Sequence, residues 1–222
     1  MSNVRLVALT QPVGIEDIVT SEEFVAYCAR VSNPGNQENN STAPKLLNYL
    51  IKNQHWSPFE MAHAVIEIET TRDIARQILR HRSFSFQEFS QRYATVTEDA
   101  VLRETRLQDS KNRQNSLDTN DEGLQEWWNM AQRSVAAVTS EVYSYALSRG
   151  IAKEVARAVL PEGMTPSRLY MAGSIRSWIH YIQLRTGNGT QKEHREVASQ
   201  CCAALVAEMP ALSEIMRGNG VE

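Results

Sequence analysis

Arg72, Arg76 and Arg80 recur every fourth residue, and the run that carries them ends in Arg80 to Tyr93, which reads RHRSFSFQEFSQRY. That spacing predicts a helix over Thr71 to His81 with the guanidiniums on one face and Ile74, Ile78 and Leu79 lining another. Like charges one turn apart cost roughly 0.2–0.5 kcal/mol per pair, so something acidic must offset them. The tail adds Arg82, Arg92, His81, several hydroxyls and four aromatics around a single acid, Glu88. A planar guanidinium fork suits phosphate and carboxylate oxygens, and a cluster of forks is costly unless an anion satisfies it. The fold must therefore bring acids, or an anionic ligand, to this segment.

The arginines are a local feature. Net charge over the 222 residues is −3, which argues against a general binder of nucleic acid or anionic membrane, where basic excess pervades the domain. No apolar run approaches the roughly 20 residues that span a bilayer. Met1 to Pro12 lacks the cationic lead, apolar stretch and cleavage site of a signal peptide. Cys28, Cys201 and Cys202 have no CxxC spacing, so a reduced, cytoplasmic chain is expected. Length and the absence of a dividing linker predict one domain over residues 1–222.

Val4 to Leu9 reads as a short strand. Thr20 with Glu23 forms a capping-box pattern opening a helix to about Val31. After an Asn-rich loop, Ser41 or Thr42 should cap a second helix with Pro44 in its first turn. His55 to Glu60 is a turn, and Ala64 to Thr70 alternates as a half-buried strand does. Glu104 to Asp121 is polar, has no period and reads as an irregular excursion. A long amphipathic helix follows to about Ser148, with Leu124, Trp127, Ala131, Val135, Val138 and Val142 on its apolar side; Gly150 ends it. Further helices are expected from Thr165-Pro166 to Arg185 and from Gln191 to Glu208. The class is α+β: helix-rich, with a small, mainly antiparallel sheet.

On a helix opened by Thr165, Met171, Ile175, Trp178, Ile179 and Ile182 form an apolar stripe at about 100° per residue. Ser174, Tyr181 and Arg185 border it on one side, and Arg176 and His180 on the other, so two polar rows face two ligands or two subunits. In KEVARAVLP, Glu154 and Arg157 lie one turn apart and Pro161 stops the helix. The histidines lack metal-ligand spacing. No GxGxxG or GxxxxGK[ST] is present, so any dinucleotide cofactor must bind outside a Rossmann unit. The acids Glu196 and Glu208 near Cys201-Cys202 would raise a thiol pKa.

Arg80-His81-Arg82 followed seven residues later by Ser90, with Glu88 before it and Arg92-Tyr93 after it, resembles the signature of the flavin-dependent thymidylate synthases. The likeness extends along the chain. His55 to Glu60 is similar to that family's H-x-[ST]-P-F-E turn, and Arg30-Val31-Ser32 to its early flavin-contacting segment. Ala156 to Pro161 resembles A-R-x-V-L-P, Arg176-Ser177 through Leu184-Arg185 the R-S…L-R helix, and Gln191-Lys192-Glu193 the Q-x-E element. The resemblance implies that Gln77, Arg80, Glu88, Ser90, Gln91, Arg92, Arg157 and Arg185 hold deoxyuridine monophosphate (dUMP). It implies flavin contacts at Ser32, Ser57, Glu60, Arg80, His81, Arg82, Ser174, Arg176 and His180, and a catalytic set of Arg185, Arg80 and His55. It further implies FAD as cofactor, NADPH and 5,10-methylenetetrahydrofolate as co-substrates, and a homotetramer with shared active sites.

The chemistry so implied is reductive methylation of uracil at C5. That carbon is a poor nucleophile, and negative charge developing on the base needs a cation such as Arg185 in a water-poor site. Phosphate gripped near Ser90 and Arg92 would turn remote binding into orientation. Ser90 has no oriented base beside it and is not expected to act as a nucleophile. The rival reading is a single-stranded nucleic-acid binder that stacks bases on Phe84, Phe86, Phe89 and Tyr93 beside Arg80, Arg82 and Arg92.

Overall fold

The computed structural model describes residues 2–187, 189–213 and 215. In chain order its strands and helices are β1 (Asn3–Leu9), α1 (Ser21–Ala29), α2 (Ala43–Lys52), β2 (His63–Thr71), α3 (Arg72–Ile78), β3 (Ser85–Glu88), β4 (Arg106–Gln108), β5 (Ser116–Asp118), α4 (Glu122–Ser148), α5 (Lys153–Ala156), β6 (Pro166–Ser174), α6 (Ile175–Arg185) and α7 (Lys192–Glu208). Four strands form an antiparallel sheet in the order β1-β2-β6-β3, and β4 and β5 make a separate hairpin. This is the expected α+β class.

The sheet face and the helices close one core. Ala64, Ile66 and Ile68 of β2 and Leu169 and Met171 of β6 point inward, against Trp178, Ile179 and Ile182 of α6 and Val197, Ala198 and Cys201 of α7. The Trp178 indole nitrogen donates to the Ala64 carbonyl at 3.2 Å, so the largest buried side chain leaves no polar atom stranded. Local signals agree where capping chemistry is explicit. Thr20 and Glu23 form the full capping box of α1, and Gly150 takes φ 82° just beyond α4. Thr42 precedes α2, but its hydroxyl accepts from Arg30 Nη2 at 2.8 Å rather than capping the helix.

Three expectations fail. Residues 166–174 form a strand, not the first half of a helix; Pro166 pairs with Thr71 at the strand's end, where a missing N–H costs little. Alternation of Ser167, Leu169, Met171 and Gly173 inward with Arg168 and Tyr170 outward outweighs the helix-start reading of Thr165-Pro166. Residues 104–121 contain the β4–β5 hairpin, pinned by Arg106 to Glu193 of α7 at 2.5 Å. The apolar side of α4 does not enter the core: Trp127 is 57% exposed and Val138 60% exposed, while Gln132 and Tyr143 are the buried side chains of that helix.

Candidate functional site

The arginine segment is positioned by two tight connections. Arg72 N–H and Asp73 N–H donate to the carbonyls of Thr165 and Glu162, which fastens the start of α3 to the loop before β6. After α3 the chain turns through His81 N–H to Ile78 and Phe84 N–H to His81, then enters β3 against β6. Phe84 is the pivot. It packs edge-on to Trp178 with ring centroids 4.8 Å apart, over Gly173, where a Cβ would stand 2.5 Å from the Phe84 ring. Only glycine admits that approach, and it sets where Arg80 and Arg82 emerge.

The acid demanded by the arginine spacing is present. Glu88 lies 3.6 Å from Arg72 Nη1 and 3.7 Å from Arg76 Nη1, and accepts from the Ser167 hydroxyl at 2.9 Å. Arg76 also faces Glu162 at 3.6 Å. Arg80, the third of the row, has no such partner: neither it nor Arg82 makes an ion pair among the described residues. Both are exposed.

Next in chain order, Ser90 is exposed, and its carbonyl accepts from the N–H groups of Tyr93 and Ala94 to form a turn. Lys153 donates to the Tyr93 carbonyl at 3.0 Å, Arg92 Nε stands 3.3 Å from Glu154, and Arg157 Nε donates to the Glu154 carbonyl at 3.3 Å. These bonds dock the 90–93 turn on α5 and bring Arg92 and Arg157 to one carboxylate-bearing turn. Within that turn Gln91 is buried, and its Nε2 has no acceptor. A buried amide donor left unpaired costs about 1–3 kcal/mol, and among the described residues nothing accepts from this one.

A third group sits between α3, α6 and α7. Arg185 Nε donates to His81 Nε2 at 2.9 Å. The His81 ring is edge-on to Tyr181, centroids 4.9 Å apart. Burial, then the charges of Arg185 and Arg80, push the His81 pKa down to about 4. Neutral His81 can accept at Nε2, which leaves the Nη donors of Arg185 available. Gln77 belongs here, bonded to Gln191 and His194.

The C-terminal flavin candidates form a fourth group at the other border of α6. Arg176 Nη1 donates to Glu60 at 2.7 Å. Bonds from the Ser174 hydroxyl and from Arg176 hold the Glu60 carboxyl below its ordinary pKa. Ser174 caps α6, its side chain accepting from Ser177 N–H at 3.2 Å. His180 stacks edge-on with Trp56, centroids 5.3 Å apart, and burial followed by Arg176 lowers its pKa. Arg185 and Tyr181 thus meet His81 on one border of α6 and Arg176 meets Glu60 on the other, but Ser174, expected beside Arg185, bonds to Glu60 instead. Ser57 is exposed in the turn before Glu60, and His55 is exposed beside Tyr49. Ser32 lies apart, lining a cavity of about 490 Å³ with Arg30, Asn33 and Lys45.

Within one chain Arg80 and Arg185 share the surroundings of His81, whereas Arg92 and Arg157 meet at the Glu154 turn of α5. Three further cavities lie by α4, by β4–β5 and beside residues 98–104, and none of the candidate residues lines them. The stacking surface required by a nucleic-acid reading is mostly spent, because Phe84 is buried and Phe86 packs on the core; Tyr93 alone is strongly exposed, at 88%. Cys201 is pushed up, as expected, but chiefly by burial and then Cys202 rather than by the nearby acids. What the sequence reading missed is Gln191 and His194 as partners of Gln77, with Glu193 bonded in turn to Gln191. The signal was His194 at the head of the buried row Val197, Ala198 and Cys201 on α7, a polar side chain where the period asks for an apolar one.

The family model described as thymidylate synthase complementing protein matches residues 15–211. A probable flavin-dependent thymidylate synthase of Paramecium bursaria Chlorella virus 1 is 52% identical over 214 residues, covering 96% of this chain and 98% of its own length. A flavin-dependent thymidylate synthase of Synechocystis is 50% identical over 213 residues, covering 95% and 97%. Among solved structures, the UMP/dUMP methylase PolB from Streptomyces cacaoi bound with 5-Br dUMP aligns with a TM-score of 0.79 at 28% identity, over 99% of this chain and 96% of that one.

Proposed function

This chain belongs to the thymidylate synthase complementing protein family, and from that premise we propose that it converts dUMP to dTMP as a flavin-dependent thymidylate synthase. The observation that carries the reading is the uncompensated positive field around His81. Burial lowers its pKa first and Arg185 and Arg80 then add to the shift, and among the described residues neither arginine makes an ion pair. Such a set fits an anionic nucleotide and a flavin's pyrophosphate.

Arg92, Arg157 and the orphaned Gln91 amide would take the nucleotide phosphate and fix its distance from the reacting ring, with Ser90 and Glu88 completing the turn. Arg185, its Nε spent on His81, would turn its Nη donors on the uracil and stabilise charge developing there. Arg80, His81, Arg82, Ser57, Glu60, Ser174, Arg176, His180 and Ser32 would hold FAD, with His55 beside the flavin and folate. When bound, FAD would supply the hydride for the one-carbon unit that 5,10-methylenetetrahydrofolate would deliver, with NADPH re-reducing the flavin.

The opposed borders of α6, Arg185 on His81 and Arg176 on Glu60, support a site shared between copies. The exposed apolar row Trp127, Val135, Val138 and Val142 on α4 supports the homotetramer that would bring them together. We read residues 1–222 as one catalytic domain. Among the described residues no helix is long and apolar enough to cross a membrane, and the three free cysteines fit a cytoplasmic protein.

Release of the C5 hydrogen from labelled dUMP, with methylenetetrahydrofolate and NADPH present, tests the proposal. Wild type should release it, and Arg92→Ala and Arg185→Ala should not. A yellow protein with full flavin occupancy that stays inert would overturn the assignment.

A further inference from the structure

Along one line inside the chain the direction of each hydrogen bond follows from the one before it. The line starts at Glu193, in the first turn of α7, whose Oε1 lies 2.5 Å from Arg106 Nη2 and 3.4 Å from Arg103 Nη1. Burial raises the Glu193 pKa, but its own backbone N–H, the Gln191 amide and the two arginines outweigh it and hold the carboxyl below the ordinary range. An ionised carboxylate only accepts. Gln191 must therefore give Nε2 to Glu193 Oε2, at 2.9 Å, and is left with Oε1 facing Gln77. Gln77 donates to that oxygen from Nε2 at 2.7 Å and presents its own Oε1 to His194 Nδ1 at 3.2 Å. An oxygen there requires a donor, so Nδ1 carries the proton. Nε2 of the neutral ring then accepts from the Tyr181 hydroxyl, 3.2 Å away. Charge at one end and an imidazole at the other thus decide which way the Gln77 amide points, a choice that electron density alone seldom settles.

We infer that His194 is a positioning residue for nucleotide binding: it clamps the Gln77 amide so that the second Nε2 hydrogen, the one not given to Gln191, is offered to the substrate. This rests on the proposed role of Gln77 as a nucleotide contact. Packing does not explain His194. It is fully buried at 0% exposure, on the same face of α7 as Val197, Ala198 and Cys201, where an apolar side chain would serve the core. A buried imidazole is costly unless both nitrogens find partners, and here each meets a single side chain, Gln77 on α3 and Tyr181 on α6. Burial, then the charges of Arg185 and His81, push its pKa down to about 3, so the ring stays neutral.

Calorimetric titration of the holoenzyme with dUMP tests the inference on His194→Leu, His194→Asn, Gln77→Ala and the double variant Gln77→Ala/His194→Leu, with melting curves to confirm folding. The Asn amide nitrogen stands near the position of Nδ1 and keeps the donor to Gln77. His194→Leu should weaken dUMP about tenfold, the value of one hydrogen bond. His194→Asn should recover most of that loss, and His194→Leu should add nothing once Gln77 is alanine. Wild-type affinity in His194→Leu, no recovery by Asn, or an equal further loss in the Gln77→Ala background would each overturn the positioning role and leave Gln77 as a contact. Wild-type affinity in Gln77→Ala would instead show that the nucleotide reading of Gln77 is what failed, and the inference would fall with it.

Discussion

The two flanks of α3 present opposite solutions to the same problem of placing polar groups in a small protein. On the inner flank, Gln77, Gln191, His194 and Tyr181 satisfy one another in a directed line that ends in ion pairs. On the outer flank, Arg80 and Arg82 stand without acids, and Gln91 has a buried donor with no acceptor. The first region is complete within one chain and should be rigid. The second is incomplete, so its geometry depends on a ligand or on another copy. On the function proposed above, the pre-organised part aims Gln77 and the unsatisfied part receives the ligand's charge.

The sharpest way to break that contrast is to deny the outer flank its neighbour. Val138→Glu places a carboxylate in the exposed apolar row of α4. If copies assemble there, burying that charge costs on the order of several kcal/mol. Sedimentation should then show a smaller species with wild-type circular dichroism, and C5 hydrogen release should be lost with it. A variant that remains a tetramer and active would move the shared site away from α4.

Next in size is Arg185→Lys. Lysine cannot both donate to His81 Nε2 and present a fork. Loss of one pre-aimed donor at developing charge costs about 10²–10³-fold in kcat. Steady-state release kinetics should show that fall in kcat with KM for dUMP changed less. A lysine variant as fast as wild type would mean that the fork is not used in the transition state.

Legibility follows the same divide. Helix starts with explicit capping chemistry, such as Thr20 with Glu23, and strands with clean alternation, such as β2, could be read because their signals are local. The strand β6 was hidden because Thr165-Pro166 satisfies a helix-start rule as well as it does the end of a strand, and only pairing with β2 decides between them. The exposed arginines were readable from spacing, since unsatisfied groups must advertise themselves by type. The relay behind Gln77 was not, because its members come from α3, α6 and α7, and only the tertiary fold makes them neighbours. The α4 stripe was seen, but not that it stays exposed within one chain: periodicity marks an apolar face, never what covers it.

A smaller effect tests the hinge between the flanks. Gly173→Ala would set a Cβ 2.5 Å from the Phe84 ring, whose opposite side is held by Trp178. Overpacking of this kind costs about 1–3 kcal/mol. Melting should fall by roughly 2–4 °C per kcal/mol for a chain of this size. Phe84 follows directly on the Arg80 to Ser83 turn, so dUMP binding should weaken as well. Unchanged melting with unchanged binding would show that Phe84 does not hold the turn.

The smallest expected effect is the most diagnostic of charge. His81 has a folded pKa of about 4 against an ordinary 6.5, set by burial and by Arg185 and Arg80, with Tyr181 and His194 packed beside the ring. Between those values the unfolded chain binds a proton that the folded chain refuses, so falling pH favours unfolding. The contribution of neutral His81 is therefore complete above pH 6.5 and gone below about 4. Urea midpoints measured across that window should fall less steeply with acid in His81→Asn than in wild type. His194, held at about 3 by burial and Arg185 before His81, adds a loss of its own, of which His81→Asn removes only the His81 share. If the two slopes coincide, His81 takes up its proton as readily in the folded chain as in the unfolded one, and an acid must stand close enough to neutralise the arginines around it.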